Sequence, residues 1–277
     1  MRYYTRDRRT LQTRWSQFRQ QLDALEIDEQ DLERMLEAAR ACFEGIGELA
    51  RSCFPFESSQ LRHRITAINP EAGRHAMPRS EAEVTRALRC AQSAWLRFPY
   101  LDARYGERGR RFTRSDSCWL VALYDVEESL AVESLLWLRK VLSSRGLPTV
   151  ILETHLEMID RDIEAEDPGR ARQSPGFRTV ISRFQAQRDA ILPPTVRGTM
   201  ISQYQGQFDQ CLGDGIPGAA EILIDAVIDT AIGIEHARQQ VFSWMRDRER
   251  FSATWVGTVD LLAEDLAAKA RAKKRIG

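Results

Sequence analysis

The chain has 277 residues, 43% of them hydrophobic and 29% charged, a size and make-up that bury a core without disulfides or metals and exclude long-range disorder. Forty basic side chains balance forty acidic ones, so no overall field draws the chain to nucleic acid or to an anionic membrane. The five cysteines, Cys42, Cys53, Cys90, Cys118 and Cys211, are scattered without a C-x-x-C pair, which predicts reduced structural thiols in a cytoplasmic protein and argues against zinc or iron–sulfur. The N-terminal MRYYTRDRRT is charged, and no apolar run approaches the ~18 residues that span a bilayer, so neither export nor membrane insertion is expected.

Apolar residues recur at three and four almost throughout, which predicts an all-α helical bundle. Residues 11–51 carry the first helical signal, with Asp28 as N-cap and a stripe from Leu32 to Ala50, and a Pro-, Ser- and Gly-rich loop is expected over 54–79. Ser80 and Glu83 read as a capping box for a helix that buries Val84, Leu88, Ala91, Trp95 and Phe98 and ends at Pro99. RYGERGRRFTRSDS reads as a glycine-broken loop, followed by a short helix capped by Ser115 or Asp116. A helix over 127–143 is expected to turn Leu130, Trp137, Leu138 and Val141 inward, with Gly146 as its C′ stop and Pro148 opening the next helix. The polar EAEDPGRARQSPG, 164–176, reads as a linker between two helical subdomains, 1–165 and 174–277. Helices near 177–191, 195–212, 217–245 and 252–273 complete the second.

Four places carry side chains of chemical interest. His155 sits at helical spacing from Leu152, Leu156 and Ile159, so its ring faces the core, where it either ligates haem iron or cobalt or satisfies itself by hydrogen bonding. Glu221, Asp225 and Asp229 recur every four residues ahead of His236, the spacing of a di-iron-type metal set; the same acids also fit a solvent face opposite Ile222, Leu223 and Val227. Arg104, Arg108, Arg110, Arg111 and Arg114 surround Tyr105 and Phe112, a composition that clamps a small phosphate or carboxylate or an acidic protein partner, or pairs with Asp102, Glu107 and Asp116. The N-terminal RYYTRDRRTLQTRWSQFRQ reads as an arm that docks on a partner or as a self-packing terminus. The chain has no G-x-G-x-x-G after a strand, no Walker loop, no H-E-x-x-H and no G-x-S-x-G, which leans away from an enzyme.

The stretch FDQCLGDGIPGAAEILIDAVIDTAIGIEHARQQVFSWMRDRERFSATWVG, with its Gly213-Asp214 turn, Ala/Ile helix and tryptophans, resembles the helical domain that precedes the cobalamin-binding Rossmann domain in B12-dependent methionine synthases and light-sensing transcription regulators. Here the expected Glu-His pair is replaced by Phe251 to Gly257, and no D-x-H-x-x-G or βαβ pattern follows. The resemblance implies a cap-like helical bundle without its usual cofactor partner. If a tetrapyrrole binds, Phe242, Trp244, Met245 and Trp255 supply its apolar walls and His236 or His155 its ligand. The expectation is a non-enzymatic sensing or adaptor module without a cofactor, binding a small ligand in an aromatic-lined pocket and an anionic group or partner at 104–114. The alternatives are a di-iron-like metalloenzyme and a haem or cobalamin binder.

Overall fold

In the computed structural model the apolar periodicity becomes ten helices, with no strand among the described residues. Those residues are Asp31, Arg34, 68–71, 78–174, 176–211 and 215–276, with side chains as far as 269. Nearly all of the expected helix over 11–51 and loop over 54–79, the basic N-terminal arm, Cys42, Cys53 and the Gly213-Asp214 turn lie outside them. The chain divides into two units, Met1–Ser80 and Glu81–Gly277, and the second holds all ten helices.

α1 (Glu81–Arg97) buries Val84, Ala87, Cys90, Ala91 and Ala94; the small side chains let it lie close against α2 (Pro99–Leu123) and α4 (Thr149–Glu166). Phe98 interrupts the two helices and Pro99 starts α2, where a missing N–H costs nothing. α2 overturns the expected arginine loop. It runs for 25 residues and bends only at Gly106, whose φ of 52° suits glycine. Ser115 does not cap a new helix: its hydroxyl donates back to Phe112 O and that of Ser117 to Thr113 O.

α3 (Glu128–Ser143) buries Ala131, Leu135 and Leu138. Leu130 and Trp137, expected inward, are 55% and 43% exposed, because the buried stripe is set one residue further along the helix. Gly146, at φ 90°, closes α3 as expected. Leu147 N donates to Leu142 O and Gly146 N to Ser143 O, the paired bonds of a Schellman turn.

α4 is the central helix and packs against α1, α3, α5 (Pro168–Gln173), α6 (Arg178–Ile191) and α8 (Ala219–Ala231). The expected linker at 164–176 is therefore no domain boundary. Arg170 of α5 reaches Glu83 at 2.8 Å and Asp125 at 2.9 Å, and Tyr124 meets Phe177 edge-on, so tertiary pairing overrides a loop-like composition. α7 (Pro194–Phe208), α8, α9 (Ala237–Met245) and α10 (Ala253–Ile276) enclose the core around Trp255. Trp255 stacks on Phe251 and lies 4.5 Å from Phe208, while its indole N–H donates to Met245 O. A single helix over 217–245 was expected, but a turn separates α8 from α9 and His236 takes a φ of 64°. Among the described residues no helix is long and apolar enough to cross a membrane.

Candidate functional site

Two groups of polar side chains meet at the passage from α3 to α4. The first surrounds Arg104. One helical turn earlier on α2, Tyr100 is fully buried, and burial raises its hydroxyl well above its usual range, so it keeps its proton. It donates to Gly146 O at 2.6 Å and accepts from Arg104 Nη1 at 2.5 Å, while the Tyr105 hydroxyl donates to Arg145 O. The half-buried guanidinium lies 5.3 Å from the Tyr105 ring centre, 5.7 Å from Trp244 and 5.8 Å from Tyr100, each contact worth about 0.5–2 kcal/mol. A Cβ at Gly146 would fall 2.5 Å from Arg104 Nη1, so a side chain there displaces the guanidinium as well as straining the backbone. Arg104 Nη2 reaches Gln240 Oε1 at 3.5 Å, and no carboxylate of the described residues pairs with it. Arg104 and Trp244 are thus brought together.

The other arginines of the run are not. Arg110 pairs with Asp102 at 2.8 Å and lies over Trp95, Arg108 lies over Phe112, Arg114 reaches Glu107 at 3.7 Å, and Arg111 is half-buried along the same helix. Of the three acids expected to compete for them, Asp102 and Glu107 do. The non-helical Gly106 separates Arg104 from the other four, and the separate partners of Arg108, Arg110 and Arg114 rule out one common clamp.

The second group occupies the N-terminus of α4, whose N-cap is Pro148 and whose first N–H groups have no local acceptor. α8 supplies it from a distance. Asp229 accepts from Thr149 N at 2.8 Å and from Thr149 Oγ1 at 2.5 Å; Asp225 accepts from Val150 N at 2.7 Å. Arg139 of α3 donates to Thr149 Oγ1 and lies 3.7 Å from Asp229, and Arg188 of α6 grips Glu153 through both Nη atoms at 2.6 and 2.8 Å while standing 3.9 Å from Asp225. Two guanidiniums thus face three carboxylates, all of them buried. Burial and the neighbouring Asp229 push Asp225 up to about 8. With a proton on Asp225 the charges balance, which is the arrangement a water-excluded cluster favours.

This geometry corrects both expectations for the acidic repeat. Asp225 and Asp229, 3% and 0% exposed, are not a solvent face, and the four residues do not assemble as a metal set. Glu221 pairs with Arg97 at 2.6 Å, and exposed His236 turns its Nδ1 to Gln239. Among the described residues no three His, Cys, Asp or Glu side chains are grouped to hold a metal ion. Arg139 and Arg188 were missed, although a signal existed: Arg139 follows Leu135 and Leu138, and Arg188 follows Ile181 and Phe184, on helix faces otherwise apolar.

His155 is buried on α4, where its Nε2 lies 2.9 Å from Ser117 Oγ. Because that hydroxyl gives its own proton to Thr113 O, the network assigns the ring hydrogen to Nε2, which donates. Burial lowers the ring to about 4, so it is neutral at physiological pH. Phe242, Met245 and Trp255, the walls implied by the cobalamin-domain resemblance, are core side chains packed against one another and their neighbours, and half-buried Trp244 closes the edge of that core against Phe251 and Tyr100. No protein-family model, no curated protein and no solved structure matches this chain.

Proposed function

We propose that the chain is a non-catalytic sensing or adaptor module of helical build, with the Arg104–Trp244 cluster as its ligand-contacting element. The supporting observation is the position of that cluster. A half-buried cation, fixed by three aromatic rings, shares its hydroxyl partner Tyr100 with the turn that feeds α4. Anything that draws on Arg104 therefore acts on the α3–α4 turn. Cys90, Cys118 and Cys211 are buried, and burial pushes the Cys90 thiol up to about 12, which suits a reducing, cytoplasmic setting.

The test is a metabolite-library screen by thermal shift, with hits repeated on Trp244→Leu and followed by hydrogen exchange. A sensing module is expected to give compounds that raise Tm, depend on Trp244 and change amide protection over 145–147 without being consumed. A screen with no Trp244-dependent compound, or one whose hits are converted to product, contradicts the proposal.

A further inference from the structure

The guanidinium of Arg104 is used on one side only. Nη1 is committed to Tyr100 Oη at 2.5 Å, and the rings of Tyr100, Tyr105 and Trp244 hold the plane of the group. The opposite edge, formed by Nε and Nη2, carries only the long 3.5 Å contact to Gln240 Oε1. That edge presents two parallel N–H groups, the geometry that matches two oxygens of a carboxylate or a phosphate. Arg110, by contrast, spends the same edge on Asp102, with Nε at 3.0 Å and Nη2 at 2.8 Å.

We infer that Arg104 is an oxyanion-binding site, taking a small ligand through a carboxylate or phosphate group on its Nε–Nη2 edge. Exposed Gln240 on α9 turns its amide to meet the same group. This assignment rests on the sensing proposal and names the chemical class of its ligand. Several features prepare the site. The aromatic surround fixes the fork before binding, so little side-chain freedom is lost. Partial burial shields the cation from competing water, which strengthens a charge-assisted hydrogen bond. The absence of a resident carboxylate among the described residues leaves the positive charge to the ligand. Trp244 and Tyr105 offer flat apolar surface to the remainder of the molecule.

The test titrates the full-length protein with inorganic phosphate and, separately, with succinate, by calorimetry at low ionic strength. Wild type is expected to bind at least one of them saturably at one site, and which of the two binds tells the source of the oxyanion. Arg104→Lys keeps the charge and loses the fork, and is expected to weaken binding by about tenfold or more. Gln240→Ala leaves the core untouched and is expected to weaken it by a few-fold, while Arg110→Gln leaves it unchanged. Circular dichroism on each variant confirms the fold. Absence of saturable binding by both anions overturns the assignment, as does equal affinity in a folded Arg104→Lys. A neutral compound that binds in a Trp244-dependent way, with neither anion binding, overturns the oxyanion and leaves the sensing proposal standing.

Discussion

Arg188 on α6 and Arg104 on α2 are both fixed in place by the fold, by opposite means. Arg188 is enclosed with Glu153 and Asp225 and is held by charge. Arg104 is held by three aromatic faces and a hydroxyl, with one edge carrying only the long contact to Gln240. The difference separates strength from availability. A desolvated charge that already owns its carboxylate holds helices together and is closed off from a ligand, whereas a cation steadied by rings keeps its hydrogen-bonding edge for a partner. The contrast also explains why the carboxylates sit where they do. α4 begins at a proline with no local cap, so Asp225 and Asp229 are drawn to its N-terminus, where their carboxyl oxygens accept from the uncapped backbone N–H groups.

Removing Arg188 is the largest test of that contrast. Arg188→Ala strands Glu153 in the core and is expected to cost about 3–5 kcal/mol, read by urea unfolding, whereas replacing Glu153 and Arg188 together by methionine is expected to cost far less.

Next in size is a pH effect. Asp225 has its folded value raised to about 8 from 3.8, so its contribution is fully present below about pH 4 and is lost as pH rises to 8. His155, lowered from 6.5 to about 4, contributes stability present above pH 6.5 and lost as pH falls towards 4. Asp116, raised by burial to about 7 from 3.8, acts in the same sense as Asp225, so His155 offsets only one of the two acids between pH 4 and 6.5, and Asp225 acts alone from about 7 to 8. Wild-type stability is therefore expected to fall over that upper range by up to about 1.4 kcal/mol per pH unit. Unfolding curves of Asp225→Asn are expected to lose this fall, and His155→Gln to steepen the decline that begins near pH 4.

Of similar size, Gly146→Ala combines an unfavourable φ with a collision at Arg104 and is expected to cost about 1–3 kcal/mol in thermal unfolding. Smallest is Arg104→Lys, for which a loss of about 1 kcal/mol or less is expected in the same assay, set against its large effect on anion binding.

The helices were legible because burial writes its period into the sequence. Gly146 as a C′ stop, Pro148 at the head of α4 and the inward face of His155 all follow from local rules. What local rules missed was decided by partners far along the chain. The 164–176 stretch has a linker's composition, yet Arg170 finds Glu83 and Asp125. The arginine run looked like a loop because glycines break it, but Gly106 only bends a helix whose arginines find acids or rings. Asp225 and Asp229 resembled first a metal set and then a solvent face, since nothing in their own helix reveals that α4 needs a cap. Of the candidate site, Arg104 and Trp244 were both visible as residues of interest, but their meeting required α2 and α9 to be placed side by side.

Amide hydrogen exchange at Thr149 and Val150, compared across wild type, Asp229→Asn and Arg104→Lys, tests most directly whether the ionic cluster holds α4 while Arg104 is kept for a ligand. Exchange at Thr149 is expected to quicken by about tenfold in Asp229→Asn, in line with the loss of a cap worth ~1 kcal/mol or more, and to stay at the wild-type rate in Arg104→Lys. Equal loss of protection in both variants would make Arg104 one more structural clasp and contradict its role in recognition.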